Sequence, residues 1–127
     1  MNVLVLNCGS SSLKYRLLAM PEARELAAGE AQRVGPRTAE PARIFHHTGG
    51  QKTVHTADMP DHATAFDEVL QLLARTGAPK PDALVVFEMP GEIDLAPPGW
   101  ACVRRLGQGA RQPTVAFFRR LSVGTPP

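Results

Sequence analysis

Residues 3–17 read VLVLNCGSSSLKYRL, and this stretch decides the fold. Its first four residues form a short apolar run, whose length and β-branched content indicate a buried strand. Turn-forming residues follow, and from Ser12 to Leu17 polar and apolar side chains alternate, as they do on a strand with one buried face. Two strands joined by a short loop of glycine and serine predict a β-hairpin.

More strands are indicated further along the chain. Residues 25–34 are compatible with a strand or a helix, and we favour a strand because a Gly-Pro pair ends the segment and its neighbours look antiparallel. Residues 42–47 and 51–56 are two short extended segments, with Gly49-Gly50 between them. Because both glycines accept positive φ at little steric cost, this pattern predicts a second hairpin.

One helix is clearly predicted, from residue 61 to residue 76. Its apolar residues recur at helical spacing and form one stripe. They are Phe66, Val69, Leu70 and Leu73. Asp61 suits the N-cap position, and Gly77 suits the position just past the C-terminus. A buried type of strand follows at residues 83–87, so the element order predicts an α/β fold with a mixed β-sheet covered by a helix.

Length and composition exclude several classes of protein. A chain of 127 residues is one domain at most, and 43% apolar and 20% charged residues are ordinary globular values. A net charge of +2 does not indicate a nucleic-acid-binding protein. The sequence has no apolar run near the roughly 20 residues of a membrane helix and no signal-peptide pattern. Two distant cysteines make no disulfide framework, so we expect a cytoplasmic protein without membrane contact.

The charge is unevenly distributed along the chain. All 12 acidic residues lie within residues 1–94, whereas residues 95–127 contain five arginines and no acid. Six of the 12 prolines fall within residues 88–127. An apolar run at residues 115–118 is compatible with a short strand but has no obvious partner nearby. We therefore expect residues 1–87 to be the structured part and residues 88–127 to be an irregular tail rich in proline, glycine and arginine.

The loop of the first hairpin carries the best candidate for chemistry. Gly9 allows a close approach of the backbone to a ligand, and the three serines that follow supply hydroxyl and N–H groups for an anion. They are Ser10, Ser11 and Ser12. Lys14 adds a positive charge, and Asn7 places an amide oxygen at the end of the strand, suited to accept from a metal-bound water or to lie next to a phosphate. The loop is a candidate phosphate cradle, with a polar hairpin and an exposed lysine as the alternative; it does not match a Walker A loop.

Other candidates are weaker. The four histidines are His46, His47, His55 and His62. Adjacent residues on a strand face opposite sides and the spacing does not suit a metal, so we expect solvated histidines. We interpret Cys8 as a small packed residue. The tail arginines lack a recognised module, so nucleic acid is an unlikely partner.

The pattern Asn-x-Gly-Ser-Ser-Ser-x-Lys, directly after an apolar first strand, resembles the N-terminal signature of the acetate kinase family, which includes propionate and butyrate kinases. The likeness extends to Pro60-Asp61-His62 at the start of the helix and to the strand at residues 83–86. It covers residues 1 to about 86, the N-terminal part of the family's first domain.

This resemblance implies an actin-like ATPase, ribonuclease-H-like fold and ATP-dependent phosphorylation of acetate, or another short carboxylate, to the acyl phosphate with Mg²⁺. By the same resemblance, Lys14 matches the family's ATP-binding lysine, and Asn7 matches its magnesium-associated asparagine. Gly9 and the three serines match its phosphate-facing loop. Intact members bind ATP or ADP and the carboxylate, and they commonly form homodimers.

The sequence departs from the family after residue 86. Where the family continues with Gly-His-Arg-Val-Val-His-Gly-Gly and its substrate-binding arginine, this chain continues with Phe87-Glu88-Met89-Pro90. The family's remaining catalytic groups have no counterpart here, so we assign no catalytic residue. The composition changes at the same point, which favours an inactive fragment, truncated or frame-shifted after about residue 87. The alternative is a non-catalytic protein that binds phosphate or uses its basic tail to bind a partner.

Overall fold

The structure is a computed structural model that describes residues 1–35, 40–89, 95, 97–107 and 114–121. Within these residues the chain forms eight strands and one helix. The strands are β1 (Asn2–Cys8), β2 (Ser12–Ala19), β3 (Arg24–Gln32), β4 (Arg43–Thr48), β5 (Gln51–Thr56), β6 (Ala83–Met89), β7 (Trp100–Leu106) and β8 (Thr114–Arg120). The helix is α1 (His62–Arg75), between β5 and β6.

All eight strands belong to one mixed sheet, in the order β5-β4-β3-β2-β1-β6-β8-β7. The pair β1–β6 is parallel, and the other neighbours are antiparallel. Parallel strands need a crossover connection. The chain between β1 and β6 makes this connection, and α1 is the part of it that lies between β5 and β6. The predicted α/β class with a mixed sheet is therefore confirmed.

The two predicted hairpins are confirmed. β1 and β2 pair antiparallel, with Leu6 opposite Tyr15. Every second side chain of these strands is buried, as the alternation predicted. β4 and β5 also pair antiparallel, and the turn residues Gly49 and Gly50 have φ values of 56° and 78°. The segment that was compatible with strand or helix forms β3, which confirms the strand.

The helix is confirmed with both of its caps. The Asp61 side chain accepts a hydrogen bond from the Thr64 N–H at 2.8 Å, so it serves as the N-cap. Gly77, just past the C-cap Thr76, has a φ of 79°. The buried stripe consists of Ala65, Phe66, Val69, Leu72 and Leu73. Leu70 is only partly buried against this core. Among the described residues, no helix has the length and apolar character needed to cross a membrane.

The prediction of an irregular tail is wrong for two segments, because β7 and β8 extend the sheet beyond β6. β8 pairs with β6 and buries Ala116 and Phe118 in the core. The Arg120 guanidinium lies 4.7 Å from the ring centre of Trp100, and its Nε donates to the Pro81 carbonyl at 3.2 Å.

Residues 90–94, 96, 108–113 and 122–127 lie outside the described residues, and the domain boundary at residue 87 stays a prediction.

The expectation of solvated histidines is wrong for His46, which is 1% exposed. Its Nδ1 lies 2.5 Å from the Tyr15 hydroxyl, and its Nε2 lies 3.0 Å from Thr76 Oγ1. The Thr76 hydroxyl donates to the Leu72 carbonyl at 2.7 Å, so its oxygen is left to accept a hydrogen bond from the Nε2–H of His46. Nδ1 then accepts from Tyr15. This network assigns neutral His46 with the proton on Nε2, joining β2, β4 and the end of α1.

His46 predicts a pH dependence of stability. Burial, and secondarily the neighbouring His47, lower the pKa of His46 from its ordinary 6.5. Between the lowered pKa and 6.5 the unfolded chain binds more protons than the folded chain, so the free energy of unfolding falls as pH drops through this range. Chemical unfolding measured from pH 7.5 to pH 5 should show this loss.

The matched variants are His46→Gln and His47→Gln. The first should remove most of the His46 contribution to the pH slope, whereas the second changes a side chain on the opposite face and should preserve most of it. A wild-type slope retained in His46→Gln would contradict this role for His46.

Candidate functional site

The predicted phosphate loop is a tight turn at the carboxyl end of β1. The Gly9 N–H donates to the Ser12 carbonyl at 2.9 Å, which closes the turn. Ser10 and Ser11 are exposed and Ser12 is half-buried. Their hydroxyl groups are thus available near one another. A Cβ on Gly9 would lie 2.6 Å from Ser12 Oγ, so a larger residue at this position would force the Ser12 side chain to move.

Two contacts from distant parts of the chain hold the loop carbonyls. The Val34 N–H donates to the Ser11 carbonyl at 2.9 Å. His62 Nε2 lies 2.7 Å from the Gly9 carbonyl oxygen. Sequence reasoning missed both contacts. The only signal for His62 was its place in Pro60-Asp61-His62, which indicated the start of a helix and not a contact with the loop.

Asn7 and Lys14 come together beside the loop. They are opposite each other in the β1–β2 register, and both are exposed. Residues directly opposite on antiparallel strands have Cβ atoms about 4.5–5.5 Å apart. Because Leu6 and Leu13 face the core on the helix side, Asn7 and Lys14 project from the other face of the sheet. The structure therefore brings the predicted lysine, asparagine and serine loop to one edge.

A shallow cleft of about 400 Å³ lies next to these residues. It is lined by Val5, Asn7, Lys14, Tyr15, Arg16 and Phe87. Arg16 is engaged by Glu25, with 2.9 Å between Nε and Oε1. Lys14 has no ion-pair partner anywhere in the described part of the chain. The cleft thus offers an unpaired ammonium group beside an apolar wall, a combination suited to an anion that carries an apolar part.

The described residues of this site could bind Mg²⁺ only if a ligand with phosphate groups supplied further oxygen atoms. Asn7 offers an amide oxygen, the type of donor that Mg²⁺ accepts. Within the described ranges, no group of three or more His, Cys, Asp or Glu side chains could hold a metal ion. Mg²⁺ commonly keeps several waters and takes oxygens from substrate phosphates. The donor set therefore fits a magnesium ion that arrives with phosphate groups better than one held by protein alone.

Cys8 lies at the end of β1 and packs into the core. It is 1% exposed, and burial raises the pKa of its thiol from 9.0 to about 11. The thiol is therefore protonated at neutral pH and is a poor nucleophile. This placement agrees with the interpretation of Cys8 as a packed residue.

The close contact at Gly9 predicts a coupling between two positions. Gly9→Ala should lower the free energy of unfolding by about 1–3 kcal/mol, because the new methyl group meets Ser12 Oγ. Adding Ser12→Ala removes that oxygen and leaves Ser12 Cβ at 3.9 Å, an ordinary contact. The double variant should therefore be more stable than Gly9→Ala alone. Urea unfolding of the double-mutant cycle measures this, and strictly additive effects would contradict the contact.

Comparison with known sequences links this site to a family. A sequence profile described as "Acetokinase family" matches residues 2–86. The acetate kinase of Porphyromonas gingivalis is 44% identical over 75 residues, which are 58% of this chain and 18% of that protein. The chain thus matches less than a fifth of the length of this curated relative.

Solved structures agree with the sequence match. The crystal structure of Porphyromonas gingivalis acetate kinase superposes with a TM-score of 0.58 at 36% identity, over 65% of this chain and 22% of that chain. Acetate kinase from Entamoeba histolytica superposes with a TM-score of 0.54 at 22% identity, over 82% of this chain and 25% of that one, which supports the fold alone. These neighbours have the actin-like ATPase fold that the resemblance implied. Because the profile match takes in the hairpin, its loop, the helix and most of β6, the chain belongs to the acetokinase family.

Proposed function

We propose that this chain carries the nucleotide-phosphate part of an acetate kinase family enzyme. In such an enzyme the γ-phosphoryl group of ATP is transferred to acetate or a similar short carboxylate, giving the acyl phosphate. The observation that carries the proposal is the placement of Asn7 opposite Lys14, on one face and directly beside the serine loop. Family membership supplies the reaction, and this geometry supplies the residues for its phosphate side.

In this proposal Lys14 and the loop bind phosphate oxygens. The Lys14 ammonium group donates charge-assisted hydrogen bonds to the phosphate, and its lack of an ion-pair partner among the described residues leaves all three N–H groups available. The backbone and hydroxyl groups of Ser10, Ser11 and Ser12 add further donors, while Gly9 allows the close approach. Phosphoryl transfer depends largely on such positioning and charge stabilisation.

Asn7 is proposed as the magnesium-associated residue. Its amide oxygen would bind the ion directly or through a water molecule, with nucleotide phosphates and other waters completing the coordination. When bound, Mg²⁺ supplies charge neutralisation at the phosphate oxygens. The role of Asn7 itself is to hold an oxygen donor at the loop, on the same face as Lys14.

We assign no residue of this chain to the carboxylate acceptor or to acid–base chemistry. The family signature that we matched covers the phosphate loop and not the substrate-binding arginine. We therefore propose that this chain binds nucleotide weakly and does not complete the transfer by itself. Homodimer formation and a cytoplasmic location are also expectations from the family.

Lys14→Ala should weaken ATP·Mg²⁺ binding. We expect wild-type affinity in the millimolar range, because a few charge-assisted hydrogen bonds of about 1.5–3 kcal/mol must offset an association cost of at least about 4 kcal/mol. Losing the Lys14 contacts should weaken binding by roughly tenfold or more. A titration followed by the NMR shifts of the loop amides measures this.

Two control variants accompany Lys14→Ala. Lys52→Ala removes the same charge from β5, and Arg119→Ala removes a positive charge from β8; both should leave the titration nearly unchanged. If Arg119→Ala weakened binding and Lys14→Ala did not, the binding site would be the basic C-terminal region and the assignment of the loop would be wrong.

The isolated 127-residue chain should not form acetyl phosphate from ATP and acetate. Most of the rate of such a reaction comes from oriented substrates and preorganised charge, and the substrate-binding arginine of the family has no counterpart at its expected place after residue 86. A hydroxamate assay with Mg²⁺ measures the product directly. Mg²⁺-dependent turnover by the purified chain would contradict this prediction.

A further inference from the structure

One contact ties the start of the helix to the phosphate loop. His62, the first residue of α1, is half-buried, and its Nε2 lies 2.7 Å from the carbonyl oxygen of Gly9, 53 residues earlier. A carbonyl oxygen only accepts hydrogen bonds, so Nε2 must donate. The contact therefore requires the His62 ring to carry a proton on Nε2.

This bond fixes the direction of a peptide unit in the loop. In a trans peptide the C=O and the next N–H point in opposite directions, so the Ser10 N–H points away from His62. The helix packs on the sheet face that buries Leu6 and Leu13, whereas Asn7 and Lys14 lie on the other face. The Ser10 N–H thus points away from His62, and the sheet face that the helix leaves uncovered carries the asparagine and the lysine.

The orientation of the Gly9–Ser10 peptide depends on hydrogen bonds from outside the loop. Gly9 has no Cβ, so on the Gly9 side rotation of the Gly9–Ser10 peptide is not hindered by a side chain, and only the φ of Ser10 resists it locally. A rotated peptide would turn the carbonyl oxygen, a partial negative charge, toward a bound anion, and would turn the N–H away. His62 opposes this rotation at Gly9, while the Val34 N–H holds the Ser11 carbonyl at 2.9 Å. Through these contacts the carbonyl oxygens of Gly9 and Ser11 are hydrogen-bonded within the protein.

We infer that His62 is a positioning residue for the phosphate loop: it binds the Gly9 carbonyl and so presents the Ser10 N–H to a phosphate on the Asn7–Lys14 side. The inference rests on the proposed function in one respect, namely that a phosphate group binds at this loop. The direction of the loop peptide does not depend on that function. The two can therefore be tested separately, with and without nucleotide.

The first measurement uses the wild-type chain without nucleotide. A long-range proton–nitrogen correlation spectrum of the histidine rings distinguishes the two neutral tautomers. His62 should carry its proton on Nε2. A neutral His62 ring with the proton on Nδ1 would overturn the inference, and this test needs no variant to fold.

The second measurement compares three variants. His62→Leu removes the donor, whereas His62→Gln keeps an N–H group at similar reach. His55→Leu is the matched control, because it breaks another contact between the sheet and α1, the 2.8 Å contact of His55 with Glu68. The Ser10 amide shift reports on the loop, and titration with ATP·Mg²⁺ reports on phosphate binding.

His62→Leu should shift the Ser10 amide and weaken ATP·Mg²⁺ binding by about threefold to tenfold, the range for one lost hydrogen bond. His62→Gln should stay within about twofold of wild type, and His55→Leu should leave the loop unchanged. An unchanged Ser10 amide in folded His62→Leu overturns the inference, as does an equal loss in His62→Gln and His62→Leu. If His62→Leu does not fold, the wild-type tautomer and His62→Gln decide.

A failure of the proposed function would look different. In that case wild-type chain would show no shift of the loop amides with ATP·Mg²⁺. A changed Ser10 amide shift in His62→Leu without nucleotide would still support the role of His62 in holding the loop.

Discussion

The pairing of β1 on both of its edges is the constraint on which the site depends. β1 pairs antiparallel with β2 and parallel with β6, and its buried side chains, Leu4, Leu6 and Cys8, belong to the same core as the buried face of the helix. At its start, the Asn2 N–H donates to the Asp82 carboxylate at 2.8 Å and the Asp82 N–H donates to the Asn2 carbonyl at 2.7 Å, so the parallel register is fixed from its first residues. The parallel register places Asn7 opposite Phe87, and the antiparallel register with β2 places Asn7 opposite Lys14. The carboxyl ends of parallel strands are where open α/β sheets commonly bind ligands.

Local patterns predicted the elements whose evidence lies within a few residues. The β1–β2 hairpin follows from an alternation, and α1 follows from an apolar stripe with Asp61 and Gly77 at its ends. β8 was not predicted because residues 115–118 are apolar without alternation and their partner β6 lies about 30 residues earlier. His46 shows the same limit. Alternation indicates that it faces away from His47, but only the position of α1 decides that its face is the buried one.

The candidate site divides in the same way. Antiparallel pairing and a short loop bring Asn7, Lys14 and the serines together, so the sequence could indicate that cluster. The contacts of His62 and Val34 with the loop span many residues and depend on where α1 and β3 pack. Neither residue type indicates such a role by itself, because a histidine at a helix start and a valine after a strand are compatible with many environments. The groups that we propose to bind phosphate can thus be found from local sequence, and those that contact the loop from distant segments cannot.

Charge and hydrogen bonding give the loop and the cleft complementary properties. Arg16 forms an ion pair with Glu25, whereas Lys14 has no ion-pair partner among the described residues, although Glu30 lies opposite it on β3. The loop carbonyls of Gly9 and Ser11 are bonded by the protein, which reduces their repulsion of an anion. In the proposed function, such a site needs no nucleophile or acid–base group of its own to bind negative charge. Phosphate binding and turnover are therefore separable properties in that proposal, because the groups for the carboxylate would lie elsewhere.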